Sequence, residues 1–230
     1  MTHRGFALAF GRFKFLIDTL PRQPLRIDVR LGDARATGLP AASFDVALTS
    51  PPYINVFNYH QYGRPLTDLF GWHVLEAARA EVGSNRQNRQ NRFRTVVQYC
   101  LDMAIALDEL RRVLKPEGVA ILVVGRESMV RGVPFFNGEI LARLVVALQL
   151  FAIRTRAERV FVSRYGQRIY EDILILRSPQ YVAATHDELV ATARSVGREV
   201  LAEAESTSAD VQRGIEEALA SIILPSPLRP

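Results

Sequence analysis

The chain has 230 residues, enough for one substantial domain with a sizeable core, and its 48% hydrophobic and 23% charged residues are ordinary for a globular protein. The single cysteine, Cys100, excludes an internal disulfide framework and a cysteine-based zinc site, and it fits a reducing, cytoplasmic compartment. No apolar run approaches the roughly 20 residues that span a bilayer, and the net charge of +5 permits a polyanionic partner. Residues 181–230 hold eight acids against four arginines, a net of −4, so the first 180 residues carry +9.

In chain order, Phe6 to Leu20 is apolar at helical spacing, and Pro21 and Pro24 stop it. The stretch from Met1 lacks the charged-then-apolar order and the small-residue cleavage site of a secretory signal, so a helix is expected. Leu25 to Leu31 alternates apolar and polar residues and predicts a short strand, with a turn at Gly32-Asp33-Ala34-Arg35. Phe44 to Leu48 predicts the next strand. Thr67 to Ala80 is helix-like, with Thr67 as its N-cap. Gly83 to Arg92 contains a small Asn-Arg-Gln repeat without a hydrophobic residue and predicts a mobile surface loop.

Val96 to Leu114 predicts a strongly amphipathic helix. Lys115-Pro116-Glu117-Gly118 turns into the continuous apolar strand Val119 to Val124, of the kind found in covered parallel sheets. Ile140 to Leu150 predicts a helix. Arg159 to Ser163 and Tyr170 to Leu176 predict an antiparallel hairpin turning near Gly166, and Ala183 to Ser221 one or two acidic helices that pack on the domain or serve assembly. The expected class is α/β, a doubly wound sheet with an antiparallel edge hairpin and C-terminal helices. The expected division is a catalytic domain over 1–180 and an acidic helical tail over 181–230.

The chemistry sits after the strand at Phe44, in Ser50-Pro51-Pro52-Tyr53. Ser50 offers a hydroxyl. Pro51 has no N–H, and two prolines in series fix φ, so the Pro51 carbonyl points in a set direction. Tyr53 offers a ring on which a base can stack, for about 1–3 kcal/mol. Two acceptors in the plane of an aromatic amine bind its two N–H donors and leave nitrogen electron density directed out of that plane. Such a site favours transfer to an exocyclic amine by orientation and electrostatics, without a covalent nucleophile. Ser50 lacks the Gly-x-Ser-x-Gly surroundings of a nucleophilic serine. His3, His73 and His186 show no metal-ligand spacing, and no metal is expected. His60 is read as an ordinary loop histidine.

Thr49-Ser50-Pro51-Pro52-Tyr53 after an apolar strand resembles the catalytic motif of S-adenosylmethionine-dependent DNA amino-methyltransferases. The family pattern is Asp, Asn or Ser, then Pro-Pro, then Tyr, Phe or Trp. Asn55 and Tyr59 match a longer form of it. Gly32-Asp33-Ala34-Arg35 resembles the family's acidic loop, and Glu109 to Val124 its helix–turn–strand unit. The resemblance covers roughly residues 25–180. It implies methyl transfer from S-adenosylmethionine to an exocyclic amine of DNA, cytosine N4 preferred over adenine N6. Ser50, Pro51, Pro52 and Tyr53 are then catalytic. Asp33 and Ala34 contact the cofactor. Asn55 and Tyr59 then meet nucleic acid. From their position and charge, Arg64 is readable as a phosphate contact or equally as an ordinary surface ion pair, and Arg86, Arg89 and Arg92 as contacts to a DNA backbone or equally as a solvated charge run.

One family feature has no match. The Gly-rich cofactor loop, Phe-x-Gly-x-Gly, is absent, for no Gly-x-Gly occurs anywhere in the chain. Residues 1–24 are too short for the strands, loop and helix that would carry it. The expectation is a truncated or split methyltransferase, with a partner chain supplying the Gly-rich loop. The alternatives are an RNA base methyltransferase and a non-catalytic nucleic-acid-binding or assembly subunit.

Overall fold

The computed structural model describes residues 3–20, 27–30, 32–54, 64–71, 78, 80–83, 88, 90–179, 184–223 and 225. They fall in two compact units, residues 1–31 and 32–230. In the first unit, α1 is His3–Thr19, as the apolar spacing predicts, and its Phe13, Phe15 and Leu16 are exposed. The strand expected over Leu25 to Leu31 does not form at residues 27–30. Ile27 and Val29 are exposed there and no neighbouring strand pairs with them, so apolar alternation finds neither a ladder nor a face to bury.

The second unit is α/β. Its elements are β1 Phe44–Thr49, α2 Arg64–Leu69, α3 Arg94–Val113, β2 Leu114–Gly125, β3 Glu127–Val130, β4 Val133–Phe136, α4 Asn137–Ala147, β5 Ala152–Val162, β6 Arg168–Arg177, α5 His186–Ala202 and α6 Ala209–Ala220. Among the described residues the main sheet has the order β1-β2-β6-β5. β1 runs parallel to β2, whereas β2–β6 and β5–β6 are antiparallel, so the expected edge hairpin is present. β3 and β4 form a separate small hairpin.

Residue alternation splits the sheet into two faces. Ala120, Leu122 and Val124 of β2 and Leu174 and Leu176 of β6 are buried with α3 and α4, which pack on the sheet. The stripe of α3 that does this includes Val96, Val97, Cys100, Ala104 and Leu107, all buried. Helix α5 lies on α3 and α4, and α6 on α5. Ala193, Val196 and Leu201 of α5 and Ile215 and Ala218 of α6 join the same core. Helix α5 starts with a capping box, in which Thr185 Oγ1 accepts from the Glu188 N–H and the Glu188 carboxylate accepts from the Thr185 N–H.

Several boundaries depart from expectation. Lys115 to Gly118 is not a turn before a strand; it is the bulged first part of β2. Glu117 takes φ 67°, its N–H bonds the Ser178 carbonyl, and Ser178 N–H returns to the Gly118 carbonyl, so the ladder continues through the kink. β5 begins seven residues before Arg159, because Arg156 and Arg159 are held by Asp172 and Glu171 of β6 and need no apolar alternation. Helix α2 begins at Arg64, which puts Thr67 inside the helix and not at its cap, and Gly71 at φ 66° follows its end. The Gly83–Arg92 loop is anchored at its far end: Asn91 is buried, donates to the Gly214 carbonyl at 2.7 Å and accepts from the Phe93 N–H at 3.0 Å. Among the described residues no helix is long and apolar enough to cross a membrane.

Candidate active site

Ser50 follows the last residue of β1, at the strand's carboxyl end, where β2 runs alongside in the same direction. The apolar strand thus delivers the Ser-Pro-Pro-Tyr segment to the rim of the sheet. Ser50 is exposed, Pro51 is buried, Pro52 and Tyr53 are half-buried, and Ile54 is fully buried. The Ser50 and Tyr53 hydroxyls face each other at 3.4 Å, a long hydrogen bond. The four motif residues therefore form one local cluster.

Two glycines hold Tyr53 by close approach. A Cβ on Gly125, at the end of β2, would stand 3.1 Å from ring atom Cε2. A Cβ on Gly83 would stand 2.5 Å from the Tyr53 carbonyl oxygen, and Gly83 also has φ 74°, a conformation that other residues enter at a cost. Beneath the loop lies Asn137, the first residue of α4 and fully buried. Its Nδ2 donates to the Gly125 carbonyl at 2.9 Å, and its Oδ1 accepts from the Ile54 N–H at 3.4 Å. Sequence reasoning missed Asn137. Its partners lie 83 and 12 residues away, and Phe-Asn-Gly reads as an ordinary turn.

Asp33 and Ala34 lie in the expected turn, closed by a bridge between Asp33 and Ala36. Ala34 is exposed. Asp33 is committed to Arg35, whose Nε and Nη2 donate to it at 2.8 and 2.5 Å. These bonds hold the Asp33 carboxyl below the usual carboxylate range. Arg35 is itself buried and reaches Asp102 of α3 at 3.0 Å, and the Asp102 side chain is wholly inside. A second clasp follows: Glu109 accepts from the Thr37 N–H and hydroxyl, and Arg112 donates to Glu109. The segment after Gly32 is thus pinned to α3 by charge-assisted bonds.

Of the residues expected to meet nucleic acid, Arg64 is exposed and forms an ion pair with Asp68 at 3.4 Å, and Arg92 is exposed just before α3. Asn55, Tyr59, Arg86 and Arg89 lie outside the described residues, as does His60. A separate groove of about 460 Å³, lined by Arg126, Phe136, Glu139, Arg156, Glu158 and Asp172, has its arginines paired with acids: Arg126 with Glu158, and Arg156 with Glu139.

No family model matches the chain, and no curated protein matches it. Solved structures do show likeness. A candidate DNA modification methylase from Thermus thermophilus is 21% identical, with a TM-score of 0.37, and the match covers 68% of this chain and 56% of that one. The same protein complexed with S-adenosyl-L-methionine matches with 20% identity and a TM-score of 0.39, over 68% of this chain and 56% of that one. A SAM-dependent methyltransferase from Methanosarcina mazei is 13% identical, with a TM-score of 0.39, over 74% of this chain and 77% of that one. The chain spans little more than half the length of the Thermus protein it resembles, at 56%.

Proposed function

We propose that this chain is the base-holding part of an S-adenosylmethionine-dependent DNA methyltransferase that acts on an exocyclic amine, cytosine N4 in preference to adenine N6. The observation that carries the reading is the placement of Ser50-Pro51-Pro52-Tyr53 at the carboxyl end of β1, with the two hydroxyls 3.4 Å apart and the ring fixed over Gly125. In this reading the Ser50 hydroxyl and the Pro51 carbonyl accept hydrogen bonds from the two amine N–H groups. The Tyr53 ring stacks on the base, which must leave the duplex to reach it. The nitrogen is left with its electron density out of the ring plane, and its proton leaves to water. Arg64, Arg86, Arg89 and Arg92, with Asn55 and Tyr59, supply contacts to DNA.

The implied methyl donor does not fit the residues present. Its methionine part needs a backbone close enough that only glycine serves, and the chain has no Gly-x-Gly. Asp33, the residue assigned to the donor with Ala34, already has its carboxylate held by Arg35. The donor site is therefore assigned to a partner chain or segment bearing a Gly-rich loop. The same absence supports a second reading, a nucleic-acid-binding subunit without catalysis.

The test of the base-holding reading is binding of a single-stranded oligonucleotide carrying 2-aminopurine, followed by its fluorescence. Stacking on Tyr53 should change the signal, and Tyr53→Ala should weaken binding by about 1–3 kcal/mol. Unchanged binding in that variant sinks the reading. A neighbouring reading frame encoding a Phe-x-Gly-x-Gly strand and loop favours the enzyme over the subunit.

A further inference from the structure

We infer that Asn137 is a positioning residue for Tyr53, setting the ring against Ser50 from beneath the loop; this rests on the base-holding reading above. Asn137 is fully buried and its amide is used at both ends. Its Oδ1 accepts from the N–H of Ile54, the residue directly after Tyr53, at 3.4 Å. Its Nδ2 donates at 2.9 Å to the carbonyl of Gly125, the residue directly against the Tyr53 ring. Ser128, also buried, stands beside the amide with Oγ 2.9 Å from Nδ2 and 3.2 Å from Oδ1. The Asn137 N–H donates to the Arg126 carbonyl at 3.0 Å.

The orientation of the amide follows from its partners. Turned over, it would set an amine against the Ile54 N–H and a carbonyl against the Gly125 carbonyl, so one orientation satisfies both. One side chain therefore ties the chain leaving Tyr53 to the strand end under its ring. Those two segments come from distant parts of the sequence, and their separation fixes where the ring lies. Neither could shift without leaving a buried donor or acceptor unpaired. Because Ser50 is three residues before Tyr53 and 3.4 Å from it, the ring's position also sets the spacing between the stacking surface and the hydroxyl acceptor. Asn137 does this without touching a base.

The experiment labels the protein with 3-fluorotyrosine and follows the fluorine resonance of Tyr53, identified among the seven tyrosines by Tyr53→Phe. Asn137→Ala should shift or split that resonance and leave the others in place. Asn137→Asp, which keeps the shape and the acceptor and loses the donor to Gly125, serves if Asn137→Ala does not fold. Leu141→Ala, on the same helix and buried in the core, controls for loss of stability and should leave the Tyr53 resonance unmoved. Binding of a single-stranded oligodeoxycytidylate is the second readout. Asn137→Ala should weaken it by about ten-fold, and by nothing further when Tyr53→Ala is already present. A Tyr53 resonance unmoved in the folded Asn137 variants, or full additivity of the two substitutions, overturns the inference. If the resonance moves while neither Asn137→Ala nor Tyr53→Ala changes oligonucleotide binding, the positioning contact stands and the base-holding reading falls.

Discussion

The two faces of the sheet differ sharply in what covers them. On one, Ala120, Leu122, Val124, Leu174 and Leu176 are buried with α3 and α4, and α5 and α6 extend the same core. On the other, Val46 and Leu48 of β1 are 58% and 71% exposed, and they continue into the half-buried Val119, Ile121 and Val123 of β2 and Ile173 and Ile175 of β6. Among the described residues β1 pairs with β2 alone. Parallel strands as apolar as these are ordinarily covered on both faces. The covered face holds the buried core of the unit. Among the described residues, the open face of the sheet and the second edge of β1 are not covered by another strand or helix of the same unit.

The largest expected effects lie on the covered side. Arg35→Ala should cost about 3–5 kcal/mol, because it removes a cation paired with the wholly buried Asp102 carboxylate, whose other oxygen accepts from the neutral Gln98 amide. Chemical denaturation of the purified variant measures it, and a loss under about 1 kcal/mol would mean that the clasp to α3 is not formed. Leu122→Ala should cost about 2–5 kcal/mol. Leu48→Ala, across the same pair of strands on the open face, should stay within about 0.5 kcal/mol. Equal costs for the two leucines would show that the open face is covered after all.

The pH dependence sharpens the same contrast. Burial in α3 pushes the Cys100 thiol up to about 12 from its ordinary 9.0. The folded state keeps the proton that the unfolded chain gives up, so this contribution to stability is complete below about pH 9 and is lost as pH rises toward 12. Denaturation midpoints across that range should fall, and a thiol reagent at pH 8 should react at the rate of unfolding. Immediate reaction would place Cys100 outside the core. Asp33 acts in the opposite direction: its lowered carboxyl contributes above its ordinary range, and that contribution is lost as pH falls through the folded value. The smallest effect belongs to the surface. Arg92→Ala should weaken DNA binding modestly and reduce its salt slope by about one. An unchanged slope would leave Arg92 as a solvated charge.

What could be read from the sequence follows the same division. The apolar run of β1, the motif after it and the face of α3 are local patterns, and they appear within a residue or two of where periodicity puts them. The first half of β5 was hidden because its ladder is supported by Arg156 and Arg159 paired across to β6. The alternation at Leu25 to Leu31 misled because a strand also needs a neighbour. Within the site, Ser50 to Tyr53 is a contiguous string and legible as such. Asn137, Gly125 and Gly83 are isolated residues whose meaning depends on the fold bringing them to Tyr53.

Under the proposed function, this chain holds the base and does not by itself hold the methyl donor. Titration calorimetry of S-adenosylmethionine into the isolated chain tests it directly. The expected result is no saturable binding in the micromolar range. Micromolar binding by the chain alone would contradict it, and would mean that a donor site is formed without any Gly-x-Gly loop.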